Sequence, residues 1–162
     1  MEQFAKPAAA AIIRKEINGE EYLLIQEREK EEGGSDNGLL EIPAGKIREY
    51  ENVFDALRRE VFEETGLVIT KIEGEEESVC TTINGNTIVS FQPYCMTQNL
   101  SGAYSLLVHT FLCRAEGELL KETNETKNIR WEKAEDVRKL LISEPESIFL
   151  LHINALKQYL GI

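Results

Sequence analysis

The stretch that most constrains this chain runs from Gly45 to Leu67, GKIREYENVFDALRREVFEETGL, because its last third packs four ionised side chains, Arg59, Glu60, Glu63 and Glu64, into six residues. Asn52 can cap a helix and Asp55 places negative charge in its first turn, while Val53, Phe54, Leu57 and Val61 fall on one apolar stripe. Gly66 is a natural stop, so the spacing predicts one helix over residues 52–65. At about 100° per residue, Glu60, Glu63 and Glu64 share an arc of about 100° beside that stripe, with Glu64 almost in line with Leu57. One carboxylate is therefore directed where the core should be.

Like charges four residues apart cost a few tenths of a kcal/mol even in water, and an isolated buried carboxylate costs far more or takes up a proton. Two readings follow. The glutamates form a solvated acidic face, with Arg59 pairing Glu63 at i+4, or a doubly positive ion sits among them. Carboxylate oxygens suit the hard cations Mg²⁺, Mn²⁺ or Ca²⁺, and no His or Cys lies close by in sequence to favour zinc.

Read as a pattern, Gly45, Glu51, Arg59-Glu60-Val61, Glu63-Glu64 and Gly66-Leu67 resemble the Nudix box at every defined position. The resemblance is specific over this stretch and one of general layout elsewhere. It implies an α+β fold, an α/β/α sandwich with a mixed β-sheet flanked by helices. It also implies an Mg²⁺- or Mn²⁺-dependent hydrolase of the pyrophosphate bond in a nucleoside diphosphate linked to another group. On that resemblance Glu60, Glu63 and Glu64 would be metal ligands, Arg59 and Glu51 would brace the loop-helix-loop, and the backbone of Gly45 would approach the metal closely. Glu125, ahead of Trp131, resembles a distal metal ligand or general base, with Glu122 its weaker neighbour; a solvated loop glutamate is the alternative. Family members draw the base from the box or from a later loop, and that choice stays open.

The lead-in Glu41-Ile42-Pro43-Ala44-Gly45 looks more like ADP-ribose and nucleotide-sugar pyrophosphatases than like nucleoside triphosphate hydrolases. Two departures keep the triphosphate alternative in play. The first strand is expected close to Met1, without the N-terminal extension through which many ADP-ribose members dimerise. The proline that many of them carry after the box would fall near Thr82, whereas the nearest is Pro93. An alternative of another class is a non-catalytic, nucleotide-sensing module, although such modules usually lose box glutamates and this chain keeps them. A calcium module of the EF-hand type is poor, since Ser35-Asp36-Asn37-Gly38 lacks the alternating oxygen ligands.

With 162 residues, 42% hydrophobic and 29% charged, a single domain over residues 1–162 is expected. A net charge of −11 disfavours a broad grip on nucleic acid or anionic membrane, so a small nucleotide substrate would need local positive charge, which divalent ions supply. The apolar run from Pro7 to Ile13 is too short to span a membrane and is closed by Arg14-Lys15-Glu16. Cys80, Cys95 and Cys113 show no metal-binding or C-x-x-C spacing and read as reduced packing residues of a cytoplasmic protein, monomer or homodimer, rather than as a thiol paired with His109 or His152.

Along the chain, residues 8–17 and 21–28 read as a hairpin turning at Asn18-Gly19, residues 29–38 as a polar loop, and residues 39–42 as a short strand broken at Pro43-Ala44-Gly45. That glycine turn, opening the helix, could hold phosphate oxygens on backbone N–H groups. Residues 68–72 read as a strand, residues 78–83 and 87–95 as a second hairpin, and residues 106–114 as a strand whose His109 is a sheet residue rather than a ligand. A polar loop (115–127), a strand (128–131) and helices over 134–142 and about 146–160 complete the chain. Phe91, Tyr94 and Tyr104 could stack on a base, but aromatics in β segments more often pack in a core.

Overall fold

The computed structural model describes residues 1–30 and 34–162. Its centre is β1 (Lys6–Ile17), whose residues alternate between two cores. Ala8, Ala10 and Ile12 enter one, and Ala9, Ala11 and Ile13 the other. Burial on both faces is why this segment reads as an unbroken apolar run instead of an alternating one.

From β1 the chain turns at Asn18 (φ 51°) and Gly19 (φ 80°) into antiparallel β2 (Glu20–Arg28). Positive φ at both central residues matches the twist of the strands. On its other edge β1 lies parallel to β9 (Leu106–Glu116), from Lys6↔Leu106 to Ile13↔Cys113. The sheet continues in the order β10 (Thr126–Lys133), β2, β1, β9 and β5 (Val68–Ile72). Short strands β3 (Leu40–Glu41), β4 (Ala44–Lys46) and β8 (Cys95–Gln98) add to β2, β1 and β9. A separate two-stranded sheet holds β6 (Val79–Ile83) and β7 (Asn86–Ser90).

Helix α1 (Val53–Thr65) covers one face with Val53, Phe54, Leu57 and Val61, and α2 (Ala134–Ser143) and α3 (Leu150–Leu160) cover the other with Val137, Leu141, Leu151, Ala155 and Leu156. The expected three-layer α+β architecture with a mixed sheet is the one observed. The predicted helix over 52–65 is present: the Asn52 side chain accepts from Phe54 N at 2.9 Å and Gly66 closes the helix at φ 81°.

Four local expectations need correction. Residues 39–42 supply only β3, and Pro43-Ala44-Gly45 does not simply end a strand: Ala44 to Lys46 pair with Ala10 to Ala8. Gly45 thus sits in β4, not in a turn that opens the helix. The second hairpin ends at Ser90, and Cys95–Gln98 leaves it to pair with β9. The last helix starts at Leu150, after a 3-10 turn at Pro145–Ser147, because Ile148 and Phe149 are drawn to Leu40, whose carbonyl accepts from Phe149 N at 2.8 Å. Finally, Cys80 is exposed, so it is not a core residue, whereas Cys113 is buried. Part of the expected 29–38 loop, residues 31–33, lies outside the described residues.

Candidate active site

Helix α1 delivers its charged side chains to one large cavity of about 820 Å³, between β4, the C-terminal end of β2, the loop before β10 and the start of α3. Glu60, Glu63, Glu64 and Glu125 line it together with Gly45, Arg59 and Lys30. Glu51 stands behind, holding Arg59 through Nε (2.7 Å) and Nη2 (3.0 Å) while accepting from Arg48 N (2.9 Å). Arg59 lowers the Glu51 carboxyl to about 2. Its Nη2 also donates to the Lys46 carbonyl, so this one guanidinium ties helix, loop and β4 together.

The three helix glutamates meet different surroundings. Glu60 accepts from Arg59 Nη1 at 2.5 Å, and its carboxylate lies so close to Gly45 that a Cβ there would sit 1.9 Å from Glu60 Cδ. Gly45 is therefore required for close approach, not for its backbone angles. Glu63 is half-exposed and 3.3 Å from Arg59 Nη1. Glu64 is 2% exposed, as its alignment with Leu57 predicted. Gln26 Nε2 (2.8 Å), Lys30 Nζ (2.7 Å) and Ala44 N (3.1 Å) donate to it. Burial pushes the Glu64 carboxyl up to about 7 against the pull of Lys30.

Among the described residues no three carboxylate, imidazole or thiol groups are gathered around one point at metal-ligand geometry. The helix glutamates face one cavity, as their shared arc predicts, yet each is turned toward a protein cation. The donor set nonetheless fits a hard divalent ion. Glu60, Glu63, Glu64 and Glu125 bring their carboxylates to one cavity, and Glu60 reaches it across the bare Gly45 Cα.

Glu125 reaches the same cavity. Its backbone carbonyl accepts from Glu29 N at 2.8 Å, and its Oε2 is 3.8 Å from Lys30 Nζ. Thr126 Oγ1 donates to the Glu64 carbonyl, which binds this loop to the end of α1. Glu122, by contrast, forms an isolated bridge with Lys127.

The rest of the lining was not foreseen. Arg28 stacks over Phe149 at 4.1 Å and lies 5.2 Å from the Tyr104 ring, while its Nη1 donates to the buried Glu41 at 3.0 Å. His152 is fully buried beneath, its Nδ1 accepting from Ile42 N at 3.3 Å. A signal for part of this was present. Gln26 continues the inward side of Leu24 along β2, and a polar residue at a core position asks for a partner. Lys30 carried no such signal, since it lies in a polar run. Of the candidate base-stacking residues, Tyr104 lines the cavity, whereas Phe91 packs on Phe54 and Phe111 and Tyr94 on Tyr159. His109 is a sheet residue, as expected, with Nδ1 3.1 Å from the Ala8 carbonyl.

Comparison with known proteins agrees with this geometry. A family model for the NUDIX domain matches residues 5–151. An 8-oxo-dGTP diphosphatase of Buchnera aphidicola is 44% identical over 34 residues, 21% of this chain and 27% of that protein, so the alignment spans about a quarter of the curated relative. Among solved structures, a NUDIX hydrolase from Nitrosomonas europaea superposes with TM-score 0.64 at 15% identity, over 99% of this chain and 73% of that one. The NUDIX domain of Shewanella oneidensis NrtR complexed with ADP ribose gives TM-score 0.62 at 14% identity, over 85% and 79%. A C. elegans Ap4A hydrolase gives TM-score 0.54 at 14% identity, over 96% and 98%. With a family model matched over nearly its whole length, its box intact and its α/β/α fold shared, the chain belongs to the Nudix family.

Proposed function

We propose that this protein is an Mg²⁺- or Mn²⁺-dependent pyrophosphohydrolase of a nucleoside diphosphate linked to another group, with ADP-ribose or a nucleotide sugar the preferred class. The observation that carries this is the mixed lining of the cavity. It presents Glu60, Glu63, Glu64 and Glu125 together with Arg28 and the rings of Tyr104 and Phe149, and Lys30, Lys46 and Arg48 also line it. A volume of about 820 Å³ suits a ligand of dinucleotide size.

Glu60, Glu63, Glu64 and Glu125 would hold the ion, which when bound neutralises charge on the phosphate oxygens and makes attacking water easier to ionise. The chain's own groups do the rest. Arg59, fixed by Glu51, keeps Glu60 and Glu63 from drifting apart. Lys30 and Arg28 bring positive charge to a diphosphate in a protein of charge −11. Tyr104 and Phe149 offer apolar surface to a base or sugar. Glu125, half-exposed on its loop beside Lys30, would serve either as the last of those ligands or as the base that takes the proton of the attacking water.

A second reading, nucleoside triphosphate hydrolysis, draws on the short alignment with the 8-oxo-dGTP diphosphatase. Purified protein with Mg²⁺ or Mn²⁺ and a panel of ADP-ribose, nucleotide sugars, diadenosine polyphosphates, coenzyme A and nucleoside triphosphates separates the two. The expected products from ADP-ribose are AMP and ribose phosphate. Turnover of triphosphates alone replaces the leading reading by the second, and turnover of nothing in the panel favours a nucleotide-sensing module.

A further inference from the structure

The hairpin formed by β6 and β7 stands off the body. All five residues of β6 and four of the five in β7 are exposed. Its register, Val79↔Ser90, Thr81↔Ile88 and Ile83↔Asn86, puts Val79, Ile83 and Ile88 on one face, where they are 61%, 66% and 64% exposed. Two paired strands alone are only marginally stable in water and usually need a third strand or a packed face. Among the described residues both outer edges carry no further strand, and the strands hold none of the lysines, prolines or bulges that blunt such edges elsewhere. The hairpin has the chemistry of a surface meant to be covered.

Charge limits what covers it. From Ser78 to Cys113 the chain holds no Asp, Glu, Lys or Arg, although 29% of the whole is charged. The hairpin offers nothing to a charged partner. For two copies, each of charge −11, its uncharged strands are a surface on which they can meet with few like charges in contact, the nearest being Glu76 and Glu77 at the base of the hairpin. An identical apolar face on each copy is self-complementary about a two-fold axis, the commonest symmetry of soluble oligomers.

We infer that two copies of this chain associate through the Val79, Ile83 and Ile88 faces of their β6–β7 hairpins. The hairpin contributes no residue to the cavity lining, so the dimer and the proposed hydrolysis are independent. Sedimentation equilibrium from about 1 to about 100 μM should show mass rising from one chain to two. Added NaCl should strengthen the association, because it screens the repulsion of two acidic bodies and leaves the apolar contact in place. Ile83→Thr with Ile88→Thr keeps β-branched residues that favour the strand while removing apolar surface. It should shift the midpoint at least about tenfold toward monomer with an unchanged circular dichroism spectrum. A single-chain mass throughout overturns the inference, as does a dimer that the double variant leaves intact or that salt dissociates.

Discussion

Gly45 and Glu60 show at the scale of single residues how a short motif reaches across the fold. Gly45 lies in a strand and Glu60 on a helix, yet the carboxylate occupies the space where a Cβ would be. Gly45→Ala should therefore displace Glu60 without unfolding the chain, since β4 needs no unusual backbone angle there. Its loss of turnover is expected to match that of Glu60→Gln, about 10²–10³-fold, the scale of removing one fixed electrostatic group. Steady-state rates on the substrate found for the wild type check this. A Gly45→Ala enzyme at full rate would show that Glu60 need not hold its seat. Glu64 illustrates the opposite limit. Its burial was readable from spacing alone, but Lys30, Gln26 and Ala44 N, which make the burial tolerable, come from segments 20 to 38 residues away in sequence.

Secondary-structure elements hold the site by their ends. Helix α1 starts at Asn52, whose Oδ1 accepts from Phe54 N, just after the Glu51 carboxylate that fixes Arg59. Asn52→Ala is expected to destabilise the protein by about 1 kcal/mol, and Asn52→Gly by only a few tenths, as measured by urea denaturation. Equal losses would mean that the capping hydrogen bond contributes little. Elements defined by local chemistry were readable from sequence: α1 with its cap and stop, the Asn18-Gly19 hairpin, and β9. Those defined by distant partners were not. Strand β4 exists because Gly45 meets Ala9, and α3 begins late because Phe149 N is taken by Leu40.

Across the whole molecule, two cores lie on either side of β1, and one buried base adds to the pH dependence of stability. His152 is held neutral, its pKa lowered to about 3 by burial and then by the charges of Lys30 and Arg28. In the unfolded chain an imidazole titrates near 6.5, so below that pH the unfolded state binds the extra proton and stability falls with acid until about pH 3. The His152 contribution lost between about pH 6.5 and 5 is on the order of 2 kcal/mol. It should vanish from the difference between wild type and His152→Gln, measured as unfolding free energy against pH. Parallel curves for the two proteins would show that His152 is not the group responsible. No helix among the described residues is long and apolar enough to cross a membrane. The sequence by itself determined the helix of the box, its charged arc and the buried position of Glu64, because periodicity, capping and burial cost act over one or two turns of chain, while the three-layer class was legible only through the resemblance that the box carries. Only the tertiary structure decided that Lys30, Arg28, Tyr104, Phe149 and His152 complete the cavity, because their meeting depends on how β2, β9 and α3 converge, and no local spacing records that distance.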